Sequence, residues 1–171
     1  MNTQKLLTLT LCLLFSLIYE VSMAQKVKVT YTTKSTRAIN LFQEADADFE
    51  LLNYARSMEK LEQAIRIDPN FLEAYLKYAE VCIERKDWPK GAMMIHHVID
   101  KAPDFNPFAY YQCAACEFYQ GHYTEAKRLY NYMTKYDSIY KKMKDQIEDK
   151  VKRCDFGIKA MANPVPFEPK T

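Results

Sequence analysis

Hydrophobic and polar positions along the chain follow a helical rhythm that repeats at a fixed interval. The tetrapeptide Asp-Pro-Asn-Phe at 68–71 recurs as Ala-Pro-Asp-Phe at 102–105, with the two prolines 34 residues apart. Ahead of each proline, apolar and small residues are spaced three and four apart, as on one face of an α-helix. A third copy of this spacing leads to Ser138, where the proline would stand. Such a period indicates a stacked unit of two antiparallel helices closed by a turn.

Small residues recur in the same register. They form three pairs, each 12 residues apart: Ala45 and Ser57, Ala79 and Gly91, and Ala114 and Ala126. Two helices approach within ~8–10 Å only where the crossing point carries little side chain. The pairs therefore predict where the two helices of each unit cross, with one residue inserted near 106–107 before the third unit.

These patterns predict six repeat helices and a seventh, longer one. The six lie near 37–50, 54–67, 71–85, 88–101, 107–119 and 123–136. Beyond them, apolar residues recur at helical spacing from Tyr140 to Met161, and the opposite face is charged. A terminal helix of this kind covers the open end of a repeat stack. We expect Gly157 to kink or fray it, and three prolines after Asn163 exclude further helix.

The first 24 residues are of a different kind. Lys5 precedes an apolar run from Leu6 to Ile18, and the small residues Ser22 and Ala24 stand at the positions that a signal peptidase reads. The run is shorter than the ~20 residues that span a bilayer, which favours a cleaved signal over a membrane anchor. We predict five segments: a signal peptide at 1–24, an extended N-terminal segment at 25–36, three repeats at 37–138, a capping helix at 139–162 and a Pro-rich linker at 163–171.

Composition narrows the functional classes. The net charge is +2, with acidic and basic residues interleaved, so no basic patch for nucleic acid is predicted. The chain has 3 glycines, well below the usual share of ~7%, which favours long helices over sheets. It also contains no Gly-rich phosphate loop, nucleophile elbow or His-Glu-x-x-His motif. We therefore predict a protein that is not an enzyme.

Cysteines and histidines are the remaining candidates for chemistry. Cys113 and Cys116 have redox-type spacing but fall in the middle of a predicted helix, whereas a reactive pair begins one. We expect two small buried side chains; a disulfide from Cys82 to one of them stays open as an alternative. His96, His97 and His122 could be imagined as metal ligands, but the adjacent His96 and His97 point ~100° apart on a helix and cannot comfortably face one ion. No metal site and no cofactor are predicted.

The repeat pattern resembles the tetratricopeptide repeat family over 37–138. The resemblance implies an all-α fold: a right-handed superhelix of three helix hairpins plus a C-terminal capping helix. It departs from the family where the Trp near each repeat start is replaced by Leu41, Tyr75 and Tyr110. The function that the resemblance implies is that of a scaffold, which binds another protein or peptide segment through its concave face.

The resemblance also implies which residues line that face. In the family, the first helix of each repeat faces the groove. The peptide-binding positions carried over to this chain are Phe42, Asp46, Phe49, Glu50, Glu80, Ile83, Glu84, Phe108, Tyr111, Phe118 and Tyr119. This aromatic and acidic set favours a ligand with apolar and basic residues. It lacks the Lys, Asn and Arg set with which chaperone-binding members hold a C-terminal carboxylate, so that ligand is not expected.

An alternative to peptide binding is a structural spacer whose groove is filled by the chain's own segment 25–36.

The order of segments, with the stretches 154–158 and 163–167, also resembles the N-terminal region of Bacteroidetes exported envelope proteins. In these, the repeats precede a WD-type β-propeller and an OmpA-like domain, and some are associated with type IX secretion. This implies an exported protein in the periplasm or on the periplasmic face of the outer membrane, and a fragment of a longer chain. No residue matches the peptidoglycan-binding domain.

Overall fold

The fold is an array of antiparallel helices. The computed structural model describes residues 30–163, and its helices belong to a compact unit that begins at Tyr31. The predicted signal peptide and most of the predicted C-terminal linker lie outside the described residues. The helices are α1 (Thr36–Glu50), α2 (Tyr54–Ile67), α3 (Leu72–Glu84), α4 (Trp88–Lys101), α5 (Phe108–Tyr119), α6 (Tyr123–Tyr132) and α7 (Asp137–Ala162).

Consecutive helices pair into three hairpins, α1 with α2, α3 with α4 and α5 with α6, and α7 packs against α6. The predicted all-α architecture of three hairpins and a capping helix is confirmed, and no strand occurs between residues 30 and 163. The end of the third hairpin differs from the prediction. α6 stops at Tyr132 and continues as a 3-10 turn over Met133–Lys135; Tyr136 is non-helical (φ −103°, ψ 75°) and separates that turn from α7.

The small-residue pairs lie where the hairpin helices touch. All six residues of the pairs are buried, and Ala45, Ser57, Ala114 and Ala126 have no exposed surface at all. At Gly91, an added Cβ would lie 3.5 Å from Ile83 and 3.6 Å from Cys82 of the partner helix α3. The burial of all six residues agrees with the register inferred from these pairs, because close helix crossings require small side chains.

The turn inside each hairpin is built the same way. Leu52, Lys86 and Gly121 have positive φ angles of 60°, 60° and 82°, the left-handed conformation that commonly ends a helix. The next residue then donates its backbone N–H to the carbonyl five residues earlier, at 2.8–2.9 Å: Asn53 to Asp48, Asp87 to Cys82 and His122 to Glu117. The helix ends are satisfied internally, so the turn geometry repeats with the sequence.

Neighbouring repeats are also joined by a recurrent lysine. Lys101, at the end of α4, donates to the Pro69 carbonyl at 3.3 Å and to the Asn70 side chain. One repeat later, Lys135 donates to Asp104 at 3.2 Å. Each lysine therefore ties the end of its hairpin to the proline turn of the preceding repeat.

Gly157 does not kink or fray α7, contrary to the expectation. The helix runs unbroken to Ala162, and Gly157 is buried within it. A Cβ at this position would lie 2.5 Å from the Tyr123 ring. Glycine is required here because the aromatic ring of α6 packs directly on the α7 backbone.

Candidate functional site

The first helices of the three hairpins line a shared depression of about 460 Å³, which we call the A-helix groove. Of the predicted peptide-binding residues, Phe42, Glu80 and Phe108 line it, one each from α1, α3 and α5. Its full lining is Phe42, Glu73, Leu76, Lys77, Glu80, Phe105, Asn106, Phe108 and Gln112. The three repeats therefore contribute jointly to one surface, with apolar side chains interleaved among polar ones.

Lys77 is the main feature of the groove that the sequence interpretation missed. Its ammonium lies 2.7 Å from Asp46 and 2.8 Å from Glu80, and 4.7 Å from the centroid of the Phe49 ring. Burial on its own would lower the pKa of Lys77, but the hydrogen bonds to the two carboxylates outweigh it and the pKa is raised. Asp46, Phe49 and Glu80, all predicted ligand contacts, are thus joined around a cation that the chain itself supplies.

The other two predicted carboxylates lie at the ends of their helices. Glu50 is the last residue of α1, and Glu84 is the last residue of α3. Both are exposed. The acidic character that the sequence predicts for the groove is therefore reduced around Lys77, and these two carboxylates lie outside its lining.

Aromatic contacts continue from the groove onto α5. The rings of Phe108 and Tyr111 stack with centroids 5.4 Å apart, and Tyr111 meets Tyr130 edge-on at 5.4 Å. Burial raises the pKa of Tyr111. Phe108 keeps 40% of its surface exposed. Phe108 is thus the ring of this pair that is available to a ligand, and its stacking on Tyr111 fixes the orientation of the Phe108 ring.

Ile83, Phe118 and Tyr119 also lie outside the lining of the A-helix groove. Ile83 packs against the core of the second and third hairpins. Tyr119 stacks on Trp88 of α4, with centroids 4.3 Å apart, and Phe118 lines a separate cleft against α7.

That second surface, the α7 cleft, encloses about 640 Å³. Phe156 is 76% exposed there. Its lining combines apolar side chains with two basic ones: Phe118, Tyr123, Lys152, Arg153, Phe156, Gly157, Ala160 and Met161. The sequence interpretation treated α7 only as a cap, so it did not predict this cleft.

The end of the groove beside α1 is occupied by the chain itself. The Tyr31 ring lies 5.6 Å from that of Phe42 and 5.7 Å from that of Phe71. Thr32 accepts the Leu72 backbone N–H at 2.9 Å and donates its own backbone N–H to Glu73 at 3.0 Å. The segment just before α1 is thus anchored at the start of α3.

All four cysteines of the described region are free and buried. Burial raises the pKa of Cys82 to about 11 and that of Cys116 to about 12, and it raises the pKa of Cys113 as well. Thiols with raised pKa values are poor nucleophiles at neutral pH. The disulfide alternative is not formed in this structure, and the geometry favours small buried side chains.

The sequence did not predict a polar cluster that forms around Glu117 of α5. Glu117, only 8% exposed, lies 3.1 Å from His96 Nε2 and 2.7 Å from His122 Nδ1. The Cys113 sulfur lies 3.4 Å from the same His96 nitrogen. Part of this cluster could have been predicted from the sequence, because the i, i+4 spacing of Cys113 and Glu117 places both on one helix face.

His97 is directed away from that cluster. Its ring stacks on Tyr75 with centroids 4.0 Å apart, so the two adjacent histidines do point in different directions, as expected from their positions on one helix.

None of the helices in the described region is long and apolar enough to cross a membrane.

Comparisons with known proteins bear on the fold. No protein-family model matches the chain, and no curated protein sequence does. Several solved structures are similar to it. The first TPR of Spaghetti (RPAP3), bound to the HSP90 peptide SRMEEVD, has a TM-score of 0.64 and 13% identity, covering 74% of this chain and 97% of that one.

Two further structures show the same likeness. The Yersinia enterocolitica type III secretion chaperone SycD, in complex with a peptide of the translocator YopD, has a TM-score of 0.64 and 10% identity, covering 72% of this chain and 95% of that one. The Sgt2 TPR domain from Aspergillus fumigatus has a TM-score of 0.63 and 15% identity, covering 81% and 92%. The described chain therefore has the fold of tetratricopeptide repeat domains.

Proposed function

We propose that the chain is a protein-interaction scaffold that binds an extended segment of another polypeptide in the A-helix groove. The observation that carries the proposal is the joint lining of this groove by Phe42, Leu76 and Phe108 from three successive repeats. Phe108 is exposed and the other two are half-buried, and aromatic and aliphatic side chains in a concave site provide the contact area on which peptide binding depends. Two similar folds are each solved with a bound peptide, which supports this use of the fold.

The charges of the groove define the ligand more closely. Asp46 and Glu80 share the single cation of Lys77, so the three groups together keep one negative charge. Phe42 and Phe108 offer apolar contacts on either side of them. The proposed ligand is an apolar segment with one Lys or Arg, whose charge meets the carboxylates around Lys77.

The binding test compares two exposed phenylalanines on different surfaces. A peptide selected from a random library by the purified chain is labelled, and its affinity is measured by fluorescence anisotropy. We expect Phe108→Ala to weaken binding about 5- to 30-fold, since loss of a well-placed aromatic costs ~1–2 kcal/mol. Phe156→Ala removes an equally large ring from the α7 cleft and should leave the affinity unchanged. If Phe156→Ala weakens binding and Phe108→Ala does not, the peptide binds in the α7 cleft instead.

The cellular setting is the second part of the proposal. We place the protein outside the cytoplasm, in the periplasm or on the periplasmic face of the outer membrane. The support is the charged, apolar and small-residue order of residues 1–24. Mass spectrometry of the protein recovered from a periplasmic fraction should find a chain that begins at Gln25. A chain retaining residues 1–24 in the cytoplasmic fraction would contradict the setting.

A structural spacer remains the second candidate, because Tyr31 covers Phe42 at one end of the groove. If the segment before α1 competes with a ligand, Tyr31→Ala should raise the affinity for the selected peptide. If it is only a fixed part of the fold, the same change should lower thermal stability without improving binding. A chain that selects no peptide even with Tyr31→Ala would favour the spacer.

A further inference from the structure

Four polar side chains from two helices and a turn converge beside α5, outside the A-helix groove. Nε2 of His96, on α4, lies 3.1 Å from Oε1 of Glu117 and 3.4 Å from the sulfur of Cys113, both on α5. No two of these ligand-type atoms are more than 4.8 Å apart. His122, which precedes α6, holds the other Glu117 oxygen at 2.7 Å. Cys113 has no exposed surface and Glu117 has very little.

The hydrogen bonding of this arrangement depends on the His96 tautomer. A neutral imidazole nitrogen is either a donor or an acceptor. If His96 Nε2 carries its proton, it can donate to Glu117 but then has no lone pair for the Cys113 thiol. If it is unprotonated, it accepts from the thiol but faces the ionised carboxylate lone pair to lone pair. The first tautomer satisfies both Glu117 oxygens, and the Cys113 sulfur is then only a weak acceptor beside His96.

A cation could also be held among the three atoms, because imidazole nitrogen, thiolate sulfur and carboxylate oxygen are the three donor types that zinc binds. A tetrahedral zinc ion with Zn–N and Zn–O near 2.0 Å and Zn–S near 2.3 Å sets its ligand atoms roughly 3.3–3.6 Å apart. The two separations from His96 Nε2, 3.1 and 3.4 Å, are close to those edges, and the sulfur and the carboxylate oxygen lie within 4.8 Å of each other.

We propose that His96, Cys113 and Glu117 form a binding site for one divalent cation of the zinc type. On binding, the thiol of Cys113 loses its proton to solvent and its sulfur bonds the ion. Access is from the side of His96, whose side chain is 35% exposed, and the fourth position is open to water. His122 is a positioning residue, because it fixes the Glu117 carboxylate through the oxygen that does not bind the ion.

The site would link two repeats. His96 comes from the second hairpin, and Cys113 and Glu117 come from the third. An ion held by both would join α4 to α5 on either side of the 102–107 connection. Binding to the folded chain alone raises its stability, so the role we assign to the ion is structural.

The experiment uses Co²⁺ as a spectroscopic probe and Zn²⁺ as a competitor on the purified, reduced chain. One equivalent of Co²⁺ should give the visible bands of a tetrahedral ion and a near-ultraviolet thiolate-to-cobalt band, and Zn²⁺ should abolish both. Zn²⁺ should also raise the midpoint of thermal unfolding. Absence of the thiolate band, or a spectrum of octahedral cobalt only, would overturn the site.

Matched variants separate the site from adventitious binding. His96→Gln and Cys113→Ser should each remove the thiolate band and the thermal shift, while His97→Gln and Cys116→Ala should keep both. His122→Ala should weaken the affinity ~10-fold and leave the spectrum in place. Since His96 is partly exposed, His96→Gln is the variant least prone to unfold. Unchanged zinc affinity in that variant would contradict the proposal.

Discussion

At the scale of single residues, two side chains decide features that sequence periodicity does not show. The Tyr123 ring approaches the Gly157 backbone so closely that a Cβ would lie 2.5 Å away. We predict that Gly157→Ala destabilises the fold, because ~1–3 kcal/mol of overpacking exceeds the ~1 kcal/mol gained from alanine in a helix. Urea unfolding followed by circular dichroism checks this. In a Tyr123→Leu background the same change should become neutral or favourable; a more stable Gly157→Ala single variant would contradict the packing.

Lys77 is the other such residue. Lys77→Met removes the cation that Asp46 and Glu80 share, so the groove gains one unit of negative charge. We predict tighter binding of a Lys-containing peptide, with the gain reduced at high salt, where screening over ~3–10 Å weakens the attraction. The free energy of unfolding should change by less than ~1 kcal/mol, because both carboxylates are partly exposed. Anisotropy titrations at two salt concentrations provide the measurement, and weaker binding at both would argue against a basic ligand.

At the scale of helices, the sequence predicts the structure well because the information is local and repeated. The 34-residue period, the small-residue pairs and the apolar stripe of α7 each report a contact between elements that are adjacent in the chain. The end of the third hairpin was less predictable, since the 3-10 turn and the break at Tyr136 depend on contacts with the preceding proline turn. Tyr136 donates its hydroxyl to Asp104 at 2.7 Å, 32 residues earlier.

The helix crossings provide the prediction at this scale. Ala79→Leu and Ala114→Leu should each cost ~1–3 kcal/mol or more, because both alanines are buried where two helices touch and extra methylene groups force them apart. Ala47→Leu makes the same change at an exposed position of α1 and should have little effect. Thermal melts of the three variants compare them directly. Equal stability of all three would mean that the crossings lie elsewhere.

At the scale of the whole molecule, the arrangement of three hairpins follows from the sequence, but the division of its surface does not. The predicted binding residues separate into those on the A-helix groove and those, such as Phe118, that meet α7. Neither the charge balance at Lys77 nor the coverage of Phe42 by Tyr31 can be deduced from repeat positions, because the first depends on side chains from two repeats and the second on the segment before α1. The cluster around Glu117 escaped prediction for the same reason: His96 joins it from the preceding hairpin.

Photo-crosslinking tests most directly whether the A-helix groove is the binding surface. A photoreactive amino acid is placed in the groove at Gln112 in one variant, and in the α7 cleft at Phe156 in another. Each variant is irradiated with the selected peptide, and the crosslinked product is mapped by mass spectrometry. The account predicts efficient crosslinking from position 112, suppressed by excess unlabelled peptide, and only background from position 156. Efficient crosslinking from 156 with none from 112 would contradict it.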